Sequence, residues 1–203
     1  MTPWFRTNER KEAIKSLYKM HQFILEVQED DYNWKWAIIA LHNSTQAFMV
    51  LALQGTSPLN VIKDPQKSFD AIQNGTDYPE DKLLNFLSLY RDIKSQEKMK
   101  KSIDSRNYLG SNEMDDAIRT LNELRNKFIH FIPCGWSIEL IMLTRICKQV
   151  LSVIEFLILE SGNIRFYDND NIEKEQLSDL VERIATELDK VERKYAISYG
   201  PST

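Results

Sequence analysis

The chain has 203 residues, a length that fits one domain, and it is 42% apolar and 28% charged. That balance supplies a sizeable core under a solvated surface and excludes a disordered chain or a membrane-embedded bundle. The formal net charge of −4 argues against a dedicated duplex-DNA binder, which carries a strongly basic face, while leaving room for a protein that meets RNA through a local basic patch.

The first residues, Met1-Thr2-Pro3-Trp4-Phe5-Arg6, turn charged almost at once. They lack the apolar centre of a signal peptide, so a cytoplasmic location is expected. Cys134 and Cys147 are the two cysteines. Two are too few for a disulfide framework, and reduced thiols suit that location.

Apolar residues at spacings of three and four predict a first helix from Asn8 to Val27, through Ala13, Ile14, Leu17, Met20, Ile24 and Leu25. A second helix is expected from about Asp31 to Leu53, capped by Asp30 or Asp31 and stopped by Gly55. It is apolar nearly all round and should lie at the centre of a bundle. Residues 54–78 read as a long connection with one short helix near Pro65–Ile72. A third helix is expected to open at Pro79, a favourable first-turn residue, and to pass through Leu83, Leu84, Phe86, Leu87 and Tyr90. It then fades into a basic stretch. The fourth is capped by Ser111 or Asn112 and ends before Pro133; the fifth is capped by Ser137 and closes at Gly162. The sixth, about Ile172 to Lys194, is amphipathic and acidic. The apolar stretches Ala37–Leu53 and Ile138–Leu159 carry polar or charged interruptions, whereas a membrane span needs about 20 residues with few or no charges; both read as core helices. The expected fold is all-α, an up-and-down bundle of about five to six helices. It forms one domain over residues 1–203, with 163–203 as an additional C-terminal helix.

The fourth helix carries the most pointed chemistry. At roughly 100° per residue, Met114, Ala117, Ile118, Leu121, Leu124, Phe128 and Ile132 form an apolar stripe, and Arg125 falls inside it. A guanidinium there is costly to bury unless something polar or anionic meets it. Asn122, Asn126 and His130 form a polar ridge at spacing four. His130 lies three residues before Pro133, where the helix must end, and a helix C-terminus favours a protonated imidazole. That position suits a group that moves a proton near neutral pH.

An Arg, a polar residue directly after it, and a His at the end of a bundle helix resemble the signature of the HEPN superfamily, matched here by Arg125, Asn126 and His130. Helix number and placement extend the resemblance over about residues 8–162, and the stretch Ala37–Gln46 is similar to the family's central helix. The resemblance implies a dimerising helical bundle, and in many members a metal-independent ribonuclease of toxin, phage-defence or CRISPR systems. Such cleavage uses the ribose 2′-hydroxyl as nucleophile. It needs a base, an acid and positive charge at phosphorus. His130 would serve as base or acid, Arg125 would hold the phosphate with its forked donors, and Asn126 would orient either. One chain offers one such histidine for two proton-transfer roles, so a two-fold homodimer that joins two copies of this helix is expected. The alternative is a non-catalytic HEPN-like module that binds a partner protein or nucleotide. A separate antitoxin or regulatory protein is a further expected partner.

Weaker candidates for substrate contact lie elsewhere. His42, Asn43 and Gln46 interrupt the second helix and either line a cleft beside the fourth or form a buried polar network. Lys98, Lys100 and Lys101 lie in the basic stretch Arg91–Arg106, which either contacts RNA phosphates or is a solvated helix end or loop. Trp136, just after His130, is placed to stack a base, whereas Trp34 and Trp36 read as core or dimer anchors. His130 and Cys134 lack the partners for a tetrahedral metal site, and no glycine-rich phosphate loop is present, so neither metal nor cofactor is expected.

Overall fold

A computed structural model describes residues 2–76, 82–130, 133, 135–166 and 171–199. Among the described residues the chain is all-helical, with eight α-helices and one 3-10 turn. The helices are α1 (Glu9–Glu26), α2 (Asn33–Gln54), α3 (Pro65–Asn74), α4 (Phe86–Lys94), α5 (Gln96–Met99), α6 (Asn112–Ile129), α7 (Leu140–Leu159) and α8 (Asn171–Tyr199); the 3-10 turn is Pro58–Val61. The helical bundle is as expected, but it has more helices than five or six. The extra ones are short, and each is bounded by its own cap.

α1 begins where Asn8 accepts a hydrogen bond from the Lys11 N–H, satisfying one of the unpaired donors of the first turn. α2 lies at the centre, touching α1, α4, α6 and α7. It is long and apolar enough to pass for a membrane span by composition, yet 72% of that window is buried inside the bundle. Two of its buried hydroxyls are satisfied by carbonyls: Ser44 Oγ donates to that of Ala13 on α1 and Thr45 Oγ1 to that of Leu41, both at 2.8 Å. At its start, the buried Trp34 donates from Nε1 to Tyr195 Oη at 3.0 Å, fixing α8 against it. Phe48, Leu17, Met20 and Leu41 are all fully buried, and each such side chain contributes roughly 1.5–3 kcal/mol by leaving water.

Three expected boundaries shift. The helix expected from Pro79 starts at Phe86, capped by Asn85 Oδ1, which accepts from the Ser88 N–H; Pro79 itself lies outside the described residues. Leu83, expected in that helix, pairs instead with Ile62 in an isolated antiparallel bridge, where Leu84 N–H donates to the Val61 carbonyl at 2.8 Å. α7 begins at Leu140, with Glu139 rather than Ser137 at the cap position and no side chain capping it. Tyr32 holds the cap position of α2 with no side chain capping the helix, and Asp30 Oδ1 accepts from the Tyr32 N–H in the turn before it.

The basic stretch after α4 is built into the fold. Asn107 Nδ2 donates to the Lys94 carbonyl at 3.0 Å, and the Arg106 N–H to that of Ser161 at 2.9 Å. Buried Asn163 donates to the Met99 carbonyl and accepts from Ser105 Oγ. α8 lays Leu180, Ile184 and Leu188 on the core while its carboxylates Asp189 and Glu192 pair with Lys148 of α7.

Candidate functional site

Ser111 starts α6 by accepting from the Met114 N–H, and Ala117, Ile118, Leu121 and Leu124 bury one side of the helix. This face meets α2, α4 and α7. The geometry puts Asn122 opposite His42: Asn122 Oδ1 lies 3.2 Å from His42 Nε2. Phe86 of α4 stacks on the imidazole with ring centroids 4.0 Å apart and planes at 21°. With an amide oxygen as its partner, Nε2 carries the proton and Nδ1 is left as an acceptor.

Burial pushes the His42 pKa down to about 4, and the nearby Arg125 charge acts in the same direction. The amides of Asn122 and Asn43 oppose the shift and are outweighed. His42 is therefore neutral at pH 7, and it is 2% exposed, so it belongs to a buried polar network rather than to a solvent-facing surface.

Arg125 sits half-buried at the other side of this cluster. Its terminal Nη1 donates to Asn126 Oδ1 at 3.1 Å. Among the described residues, its Nε and the Nδ1 of His42 are the buried side-chain nitrogens without a hydrogen-bond partner. The guanidinium lines a cleft of about 630 Å³ together with Asn43 and Gln46 of α2, Glu9 and Glu12 of α1, and the 58–62 turn. The guanidinium thus keeps donor capacity that the chain does not use, in a cleft it shares with two amides and the carboxylates Glu9 and Glu12.

His130 closes α6 as its C-terminal cap, its N–H donating to the Asn126 carbonyl at 2.8 Å, and its imidazole is exposed. Asn126 is exposed as well. Neither lines the Arg125 cleft, so within one chain Arg125 turns toward α2 while Asn126 and His130 face solvent. Trp136 folds back beside them, its ring 5.1 Å from that of Phe128 and the Lys127 ammonium 5.6 Å from its centroid. The expected turn at 131–137 is described only in part; Phe131, Ile132 and Cys134 lie outside the described residues.

The remaining candidates separate. Asn43 and Gln46 line the cleft, and His42 does not. Lys100 and Lys101 line a different cleft of about 330 Å³ with Arg10 and Arg165, which shares Gln54 alone with the Arg125 cleft. Lys98 is exposed on α5, outside both. Burial and the Lys98 charge lower the Lys101 pKa. Phe86, the stacking partner of His42, was not visible as a site neighbour in the sequence, because nothing in its spacing ties α4 to α2. Among the described residues no group of three or more His, Cys, Asp and Glu is placed to hold a metal ion. Buried Cys147 has its thiol pKa pushed up by desolvation, which keeps it protonated and unreactive. Comparisons with models of protein families, with curated proteins and with solved structures return no match.

Proposed function

We propose that the chain is a HEPN-type, metal-independent endoribonuclease that acts as a cytoplasmic homodimer in a toxin–antitoxin or phage-defence setting. What supports the reading above all is Arg125: a guanidinium with an unpaired buried Nε, lining a cleft with Asn43 and Gln46, five residues before an exposed histidine at a helix end. In the proposed reaction the 2′-oxygen attacks the adjacent phosphorus as a base removes its proton. The bond from phosphorus to the 5′-oxygen then breaks as an acid protonates that oxygen. The products are a 2′,3′-cyclic phosphate and a 5′-hydroxyl. Arg125 holds the phosphate and offsets the charge that builds on it. Two His130 side chains, one from each copy, take the base and acid roles. Asn126 already engages Arg125 and steadies it.

The second reading is a non-catalytic bundle that binds a nucleotide or partner protein. It draws on the separation of Arg125 from His130 within one chain. One experiment divides the two. The parent and His130→Ala are incubated with structured RNA in chelator. Cleavage by the parent and its loss in the variant support the ribonuclease; an intact RNA with the parent at high concentration supports the binding module.

A further inference from the structure

A second groove runs between α1 and α2, about 530 Å³ in volume, on the far side of Asn43 from Arg125. One wall is a row of cations. Lys11, Lys15 and Lys19 repeat at spacing four on α1, so they lie on one face about 6 Å apart along the axis, and Arg6 extends the row. All four are exposed. Among the described residues none of the four is paired with a carboxylate: Lys19 donates to an amide, Gln22 Oε1, and Lys15 lies 5.9 Å from the Tyr18 ring centroid. In a chain of net charge −4, such an unpaired row is a local reversal of sign. The opposite wall is aromatic. Trp36 of α2 is 43% exposed, with the Lys35 ammonium 5.0 Å from its ring centroid, while half-buried Phe23 continues the α1 row four residues after Lys19. Glu12 is the acidic residue of the lining, and it accepts from Thr7 Oγ1.

A regular line of ammonium groups facing an exposed indole matches a polyanion with flat apolar units at each repeat. We propose that this groove is a track for single-stranded nucleic acid, with phosphates on Lys11, Lys15 and Lys19 and a base stacked on Trp36. Base stacking on an aromatic platform beside a cationic groove holds unpaired strands without reading their sequence. Asn43 and Glu12 line both this groove and the Arg125 cleft, so the two are contiguous and a strand in the track reaches Arg125 past one carboxylate. That last step rests on the ribonuclease reading; the binding does not.

The test uses a fluorescein-labelled oligouridine 12-mer with 2′-O-methyl riboses, which lacks the nucleophile and cannot be cut. Anisotropy is read across a salt series for the parent, for Lys11→Gln/Lys15→Gln/Lys19→Gln and for Trp36→Ala. The triple variant is expected to lower the slope of log affinity against log salt by about 2. Trp36→Ala is expected to weaken binding roughly tenfold with the salt slope unchanged. These substitutions are on the surface, and circular dichroism checks that each variant keeps its helices. No binding by the parent, or a triple variant that binds with parental affinity and slope, overturns the track. So does a triple variant that keeps its strand affinity but changes oligomeric state, which assigns the groove to a second copy. If the 12-mer binds as described while unmodified RNA stays uncut, the track stands and the ribonuclease reading falls.

Discussion

At the scale of single residues, His42 and Arg125 make opposite demands on the same cluster. His42 is held neutral: its pKa is about 4 in the fold against 6.5 for the ordinary side chain. As pH falls, the unfolded chain takes up that proton first, so the folded state loses stability between pH 6.5 and 4 and keeps it in full above that window. The loss amounts to about 3 kcal/mol at most. Urea unfolding at pH 7.5, 5.5 and 4.5 should show a drop in the parent that is reduced in His42→Gln; equal drops in both would contradict the assignment. Arg125, by contrast, spends stability on an unpaired buried donor. Arg125→Met should leave the urea midpoint unchanged or raise it, while cutting RNA cleavage roughly hundredfold. A variant that unfolds at lower urea would mean that Arg125 holds the fold rather than a ligand. The sequence placed Arg125 in an apolar stripe, which was legible from spacing. The pairing of His42 with Asn122 was not, because spacing along one helix says nothing about which residue of another helix faces it.

At the scale of elements, the long helices and the short α3, expected near Pro65–Ile72 and found at Pro65–Asn74, were legible, while α5 was not. α1, α2, α6 and α7 carry periods strong enough to set their cores, and their ends fell within a few residues of expectation. α4 starts at Phe86, later than the expected helix, whose first residue Pro79 lies outside the described residues. The bridge of Ile62 with Leu83 keeps the chain extended until Asn85. The stretch that holds α5 read as either an RNA contact or a solvated helix end or loop, and its order comes from long-range bonds to Lys94, Ser161 and Asn163 rather than from local pattern. Gly162 makes that junction possible. Its φ is +69°, and an added Cβ would lie 2.5 Å from the Asp104 carbonyl oxygen. Gly162→Ala combines a disfavoured backbone with a clash against main chain. It should cost about 2–4 kcal/mol in chemical denaturation. A loss under 0.5 kcal/mol would show that the junction relaxes readily, against the close packing described here.

At the scale of the whole molecule, the bundle leaves the proposed chemistry half-built in each copy. α2 organises the centre, α6 presents Arg125 on one side and His130 at its end, and the two face different ways. In the proposed reaction a second copy brings a histidine to each proton-transfer role, so the proposal makes activity depend on pairs of subunits. The most direct measurement is a mixing series. Parent and His130→Ala chains are combined at constant total concentration, unfolded and refolded together so that subunits exchange, and RNA cleavage is followed in chelator. If each site needs both histidines, parent–parent dimers alone are active, and an equal mixture retains about a quarter of the parental rate. A linear fall to half the parental rate, or no cleavage by the parent at any ratio, would contradict the composite site.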